Sequence, residues 1–267
     1  APSTYTSRYT PLISAGRINA QQASYLACID WLDATIAELR AMLQAKGVEN
    51  DTVYVFMVDN GWLQPPTGTI PSYGANGAKM TPFQNGVRTP ITFFQPGRIT
   101  DGRPVGQKLA DARLASSVDI MPTLLQLAGV EAPETLQGID LLSGVALHTR
   151  RRCFGDSYKH DQDTLISNVY QVGRPEGTLT SRWVIQNGWK LLLVSANPVG
   201  QSLGAATQLY NLRTDPLETT NLAGAEPARV ASMSATLLDW WARTRPVYIY
   251  DHEFNGDAST VAGAAVD

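Results

Sequence analysis

The chain has 267 residues, of which 43% are hydrophobic and 17% charged, with a formal net charge of −3. That is enough apolar material for one large domain or a domain plus a smaller one, and the weak acidity offers no broad positive field to nucleic acid or an anionic membrane. No window approaches the ~20 consecutive apolar residues of a membrane span, and the 22 glycines and 16 prolines are dispersed instead of massed in a low-complexity tract.

The chain opens with "APSTYTSRYT", which lacks the charged and apolar regions of a secretory signal. From Asn19 to Lys46, Leu26, Ile29, Leu32, Ile36, Leu39 and Leu43 recur in steps of three and four, which predicts one face of a long amphipathic helix stopped by Gly47. The connection "VENDT" leads into "TVYVFMVDNGW", a run apolar on both faces. That pattern predicts an interior strand of a parallel sheet, with Asp59 and Asn60 at its carboxyl end and Gly61 supplying a turn that needs φ > 0. A long Gly/Pro/Ser/Thr-rich loop follows, "LQPPTGTIPSYGANGAK", of the kind that carries function. "TPITFFQPG" reads as a second buried strand, and "ASSVDIMPTLLQLAG" as a short helix capped by Ser116 or Ser117, with Pro122 in its first turn and Gly129 at its end.

After about residue 150 the pattern changes. Asn187-Gly188 between two strand-like runs is a hairpin signal, since a type I′ turn needs positive φ at both central positions. "TQLYNL" predicts another strand, and "EPARVASMSATLLDWWART" a closing helix with Val230, Met233, Leu237, Leu238 and Trp241 along one face. The organisation predicted is therefore α/β over residues 1–150, an α+β subdomain over 151–250 in which a helix packs on a small antiparallel sheet, and a loose tail over 251–267.

Few residues carry chemistry. Asp59 and Asn60 pair a carboxylate with an amide carbonyl, both hard oxygen donors suited to Ca²⁺ or Mg²⁺, although two oxygens are too few for either ion. The structural alternative is an Asp-Asn-Gly turn in which Asp59 caps backbone amides. Lys79 ends the polar loop and suits an anionic oxygen, or else is a solvated surface lysine. Arg88 is placed to pair with an acid that anchors the loop, and Asp119 adds favourable charge at a helix start. His148, His160 and His252 have no visible partner of the kind a catalytic base needs. Cys28 and Cys153 lack metal-type spacing and read as unrelated structural thiols, a single disulfide being the alternative. No Gly-x-Ser-x-Gly, phosphate-binding Gly-rich loop or Cys-x-x-Cys occurs.

Taken in order, "YLACIDWLDATIAELRAMLQAKGVENDTVYVFMVDNG", "GAKMTPFQNGVRTPITFFQPG", "SVDIMPTLLQLAGVEAPETLQGIDLL", "GWKLLLV" and "LYNLRTDPLETTNLA" resemble the later half of a sulfatase, in the alkaline phosphatase superfamily, across residues 20 to 244. The resemblance implies a partial sulfatase-like sandwich with a mixed, mainly parallel sheet and a small C-terminal antiparallel sheet. It implies a metal-assisted sulfuric ester hydrolase in which Asp59 and Asn60 ligate a divalent cation, Ca²⁺ or alternatively Mg²⁺, and Lys79 contacts the sulfate. The family's nucleophile is a formylglycine made from a Cys/Ser-x-Pro-x-Arg motif, which this sequence does not contain, so no catalytic nucleophile is assigned and the chain is expected to be a carboxyl-terminal portion, inactive alone. The loop departs from the family pattern at Ala78-Lys79 and at Gln84-Asn85-Gly86-Val87-Arg88, where an anchoring acid is replaced by Gln84. Implied partners are a sulfate-ester small molecule or glycan and the absent amino-terminal portion as a second chain, and the setting implied is periplasmic or secreted. The alternatives are a phosphodiesterase or phosphonate hydrolase of the same superfamily, and a non-catalytic pseudoenzyme or interaction module.

Overall fold

The computed structural model describes residues 1–61, 79, 81–99, 114–143, 146, 149–158, 179–195 and 205–244. Trp62, Tyr73, the three histidines, the segment 159–162 and the tail 251–267 lie outside the described residues. Two compact units are present. The first comprises Ala1–Val58 with 90–99, and the second 59–61 with 79–89 and 114–244.

In the first unit, short helices α1 (Ser3–Thr6) and α2 (Thr10–Ser14) precede α3 (Ala20–Ala45). Asn19 starts α3 through a reciprocal capping box: its Oδ1 accepts the Gln22 N–H at 2.9 Å, and the Gln22 Oε1 accepts the Asn19 N–H at 2.9 Å. Gly47 follows the helix at φ +72°, the left-handed conformation that ends helices. Ala23 and Ala27 are buried, their small side chains letting the short helices approach closely. The long apolar stripe is less covered than its periodicity implies, with Ile29, Leu32 and Leu39 exposed among the described residues.

Strand β1 (Tyr54–Met57) pairs with β2 (Ile91–Phe94), Tyr54 opposite Phe94 and Met57 opposite Ile91. Both expected strands form, but they run antiparallel, and Val55, Phe56, Met57 and Val58 are 36–41% exposed. A continuous apolar run encodes two faces that favour burial. It does not encode pairing sense, and it does not ensure that the cover lies among the described residues. The ribbon is tied down locally: the Arg40 guanidinium sits 5.2 Å from the Phe94 ring centre and 2.9 Å from the Glu49 carboxylate, while the Gln95 amide donates to the Asn50 carbonyl at 2.7 Å.

In the second unit the helical turn α4 (Gln84–Val87) is followed by α5 (Ile120–Leu127), entered through a 3₁₀ turn at Ser117–Asp119. Asp119 does more than bias a helix start. It is wholly buried, accepts the Ser116 N–H at 2.7 Å and the Ile139 N–H at 2.9 Å, and forms an ion pair with Arg150. Gly129 closes α5 at φ +71°.

A four-stranded antiparallel sheet follows in the order β3 (Arg152–Tyr158), β4 (Leu179–Gln186), β5 (Trp189–Val194), β6 (Thr207–Asn211). The β4–β5 turn has Asn187 at φ 53° and Gly188 at φ 81°, the predicted primed hairpin. Helix α6 (Pro227–Thr244) covers one face, where Val184, Leu191, Leu209, Met233 and Leu237 form a core. Four of these five are completely buried, and each such aliphatic side chain contributes about 1.5–3 kcal/mol. Trp240 stacks on Phe154 at 4.9 Å, and Arg182 lies 4.0 Å above Trp241. Leu238, expected on the packed face, is exposed instead, because the face centres on the 230, 233, 237 and 241 positions. The two cysteines are free thiols, Cys28 exposed and Cys153 buried in β3, where burial raises its pKa.

The opposite face of the sheet carries Leu192, Tyr210 and Phe83, with Trp183 against them. Within this face lies Lys190, completely buried, its Nζ 2.8 Å from the Glu218 carboxylate and 2.5 Å from the Pro82 carbonyl. Glu218 sits at φ 56° in the loop after β6. That loop is folded by Asp215, whose carboxylate accepts the Thr219 N–H at 3.0 Å and the Thr220 N–H at 2.9 Å. The two negative groups and burial push the Tyr210 hydroxyl up to about 12, burial being the largest cause.

Lys190→Met strands a buried carboxylate and should destabilise the protein by about 3–5 kcal/mol in urea titration. Pairing it with Glu218→Leu should cost less than the sum of the single changes, because the second change removes the uncompensated charge. A second expectation concerns acid. Burial acts against the Asp215 carboxylate, but its hydrogen bonds from the Thr219–Thr220 segment outweigh burial and hold its pKa below the ordinary 3.8. The depressed value means that Asp215 contributes stability above 3.8 that is lost as pH falls through its folded pKa. Melting temperatures measured downward from about pH 4 should therefore fall more steeply for the wild type than for Asp215→Asn.

Candidate active site

The chain leaves β1 at Met57 and reaches Asp59, Asn60 and Gly61. The Gly61 N–H donates to the Gly86 carbonyl at 2.8 Å, clamping this turn onto α4. A Cβ on Gly61 would lie 2.1 Å from the Asn85 carbonyl oxygen, so no larger residue fits. The sequence pattern assigns Gly61 a positive φ, but it does not adopt one; glycine is required here by close backbone approach.

Helical turn α4 is in turn held from the sheet. The Gln84 N–H, at the start of the turn, donates to the Glu218 carboxylate at 2.5 Å, and the carbonyl of Pro82 accepts from Lys190. Arg88, expected to anchor this loop by pairing with an acid, is exposed and forms no ion pair among the described residues. The anchor is the Lys190–Glu218 pair instead. Neither residue was singled out from the sequence. The readable signs were a lysine inside the apolar run "WKLLLV", facing the same way as Leu192, and an acid in the turn after the last strand.

Lys79 and Asp59, twenty residues apart, meet: the Lys79 Nζ is 3.7 Å from the Asp59 Oδ2. Their side chains are 42% and 77% exposed, so both reach solvent and are open to an incoming ligand. Asn60, next to Asp59, is half-buried. The arrangement thus presents a carboxylate and an amide as hard oxygen donors, with an ammonium adjacent. Such donors suit Ca²⁺ or Mg²⁺. Two such oxygens fall short of the six or more that these ions take, and no group of three or more His, Cys, Asp or Glu suited to a metal occurs among the described residues.

A family model described as Sulfatase matches residues 1–130. The chain is 37% identical to arylsulfatase A of Bos taurus over 206 residues, covering 72% of this chain and 37% of that protein. It is 24% identical to arylsulfatase K of Xenopus laevis over 254 residues, 94% of this chain and 43% of that protein. Among solved structures, one described as a complex with its substrate D-glucosamine-2-N,6-O-disulfate superposes with a TM-score of 0.58 at 19% identity, covering 90% of this chain and 46% of the other. The chain spans less than half the length of these relatives. Matching relatives over most of its own length, with the α/β architecture that they share, the chain belongs to the sulfatase family.

Proposed function

We propose that this chain carries part of the anion and metal pocket of an arylsulfatase-like sulfuric ester hydrolase, with Asp59 and Asn60 as ligands of a divalent cation and Lys79 as the sulfate contact. The observation supporting this reading is the 3.7 Å approach of the Lys79 ammonium to the Asp59 carboxylate. It sets an anion-binding charge beside a cation ligand, as a site for a metal-bound oxyanion requires. Oxygen donors with loose geometric demands favour Ca²⁺, and Mg²⁺ is second. A cation bound there supplies charge to the sulfate oxygens.

The chain's own residues then divide the work. The Asp59 carboxylate and Asn60 amide oxygens hold and orient, and the clamp of Gly61 on Gly86 fixes the turn that presents them. Lys79 donates hydrogen bonds to a non-bridging sulfate oxygen as a compact point charge. Nothing in this sequence supplies the nucleophile, because no Cys/Ser-x-Pro-x-Arg motif is present; a formylglycine is expected from another portion, whether on the same or a second chain. The substrate class is a sulfate-ester small molecule or glycan, in keeping with the sulfated glucosamine bound by a structural relative. No helix among the described residues is long and apolar enough to cross a membrane. A periplasmic or secreted setting accords with the family resemblance.

In the native polypeptide that carries this sequence, Asp59→Ala and Lys79→Ala should each lower kcat/KM for an aryl sulfate by on the order of 10²-fold. Faster turnover of a phosphonate monoester or phosphate diester than of the sulfate would replace the sulfatase reading with its superfamily alternative. The 267-residue chain alone should give no sustained hydrolysis. Sustained hydrolysis that Asp59→Ala abolishes would place the nucleophile within it and overturn this division of labour.

A further inference from the structure

We propose that the buried Lys190–Glu218 ion pair is the positioning element of the candidate site, holding both of its arms through two backbone anchors. The first anchor is the Pro82 carbonyl, which accepts from the Lys190 Nζ at 2.5 Å. Pro82 lies three residues after Lys79, so this bond fixes the base of the arm that carries the ammonium. The second anchor is the Gln84 N–H, which donates to the Glu218 carboxylate at 2.5 Å. It fixes the start of helical turn α4, whose Gly86 carbonyl accepts the Gly61 N–H at 2.8 Å, one residue from Asn60 and two from Asp59.

One salt bridge therefore spans both anchors. Lys190 is 0% exposed and Glu218 1%. Burial makes the pair costly to form and costly to break singly, so its geometry is strongly enforced once formed. Its partners are also unusual for an ion pair serving only its own sheet, since each charged group spends a hydrogen bond on backbone of the 82–84 segment. The lack of space at Gly61 tightens the last link: the turn bearing Asp59 and Asn60 lies against Asn85 so closely that a shift of α4 must carry it along. Asp59 and Lys79 are both exposed, with little packing of their own to hold them at 3.7 Å. Their separation is set by the segments beneath them.

The metal-binding consequence rests on the reading under Proposed function, whereas the mechanical coupling does not, and two measurements separate them. The first is hydrogen–deuterium exchange on the native polypeptide, comparing wild type with Glu218→Gln, Lys190→Met and Leu237→Ala. Glu218→Gln keeps volume and one acceptor oxygen, so it reports even where Lys190→Met fails to fold. The peptide carrying the Gly61 N–H should exchange roughly tenfold faster or more in Glu218→Gln, while β4 to β6 remain protected. Leu237→Ala, which loosens the other face of the sheet, should speed exchange in the sheet and leave Gly61 as in the wild type. Wild-type protection of Gly61 in Glu218→Gln, or equal deprotection in Leu237→Ala, would overturn the proposal.

The second measurement is calcium titration by calorimetry. Wild type should bind, Asp59→Ala should not, and Glu218→Gln should bind roughly 10- to 100-fold more weakly. Failure of the wild type to bind, with the exchange result as expected, would remove the metal reading and leave the coupling established. Calcium binding by the wild type, with both readouts unmoved in Glu218→Gln, would remove the positioning role and leave the metal reading intact.

Discussion

A lysine and a glutamate taken wholly out of water govern the second unit of this protein. Desolvating both charges costs several kcal/mol per ion, and only close pairing with further hydrogen bonds offsets it. The groups packed around the pair supply such partners. Lys190 faces inward from the start of β5 and finds Glu218, a carbonyl, and the Trp183 ring at 5.5 Å. Burial alone lowers the lysine pKa, and the Glu218 charge opposes it. The 2.8 Å contact and the donated bond to Pro82 act against burial, on the side of the charged form. Glu218 is delivered by a loop in which Asp215 collects successive N–H groups, so one half-buried carboxylate shapes the turn that buries another.

From this pair the structure runs outward to the site through three hydrogen bonds and the short chain segments between them. The sheet that supports it is ordinary in its other face, where α6 packs on a small aliphatic core. What distinguishes the fold functionally is that, among the described residues, the second face is met by the segment holding Pro82, Phe83 and the helical turn α4. That segment supports Lys79 on one side and the Asp59–Gly61 turn on the other.

Local signals were legible in the sequence where one residue type has one physical use. Gly47 stopped α3, Asn187-Gly188 defined a primed turn, and Gly129 closed α5. Asp59 and Lys79 could be named as site candidates from residue type and family pattern, and the structure brings them together. Relations between distant segments were less legible. The apolar run at β1 carried no information on whether its partner runs parallel, and Gly61 gave no sign that its need was for space at Asn85. Asp119 looked like a helix-start charge, yet its burial depends on Arg150, thirty-one residues away. Glu218 and Gln84 are separated by 134 residues, a distance across which periodicity and turn chemistry are silent.

The contrast between the two thiols makes the chain self-reporting. Cys28 stands in solvent on α3 in the first unit, while Cys153 is enclosed in β3 of the second. An alkylating reagent meets only the first while the sheet is closed and gains the second when β3 opens, since a buried thiol with a raised pKa is both shielded and rarely ionised. Counting adducts by mass thus follows the opening of the scaffold beneath the site without a dye, a tag or a substrate.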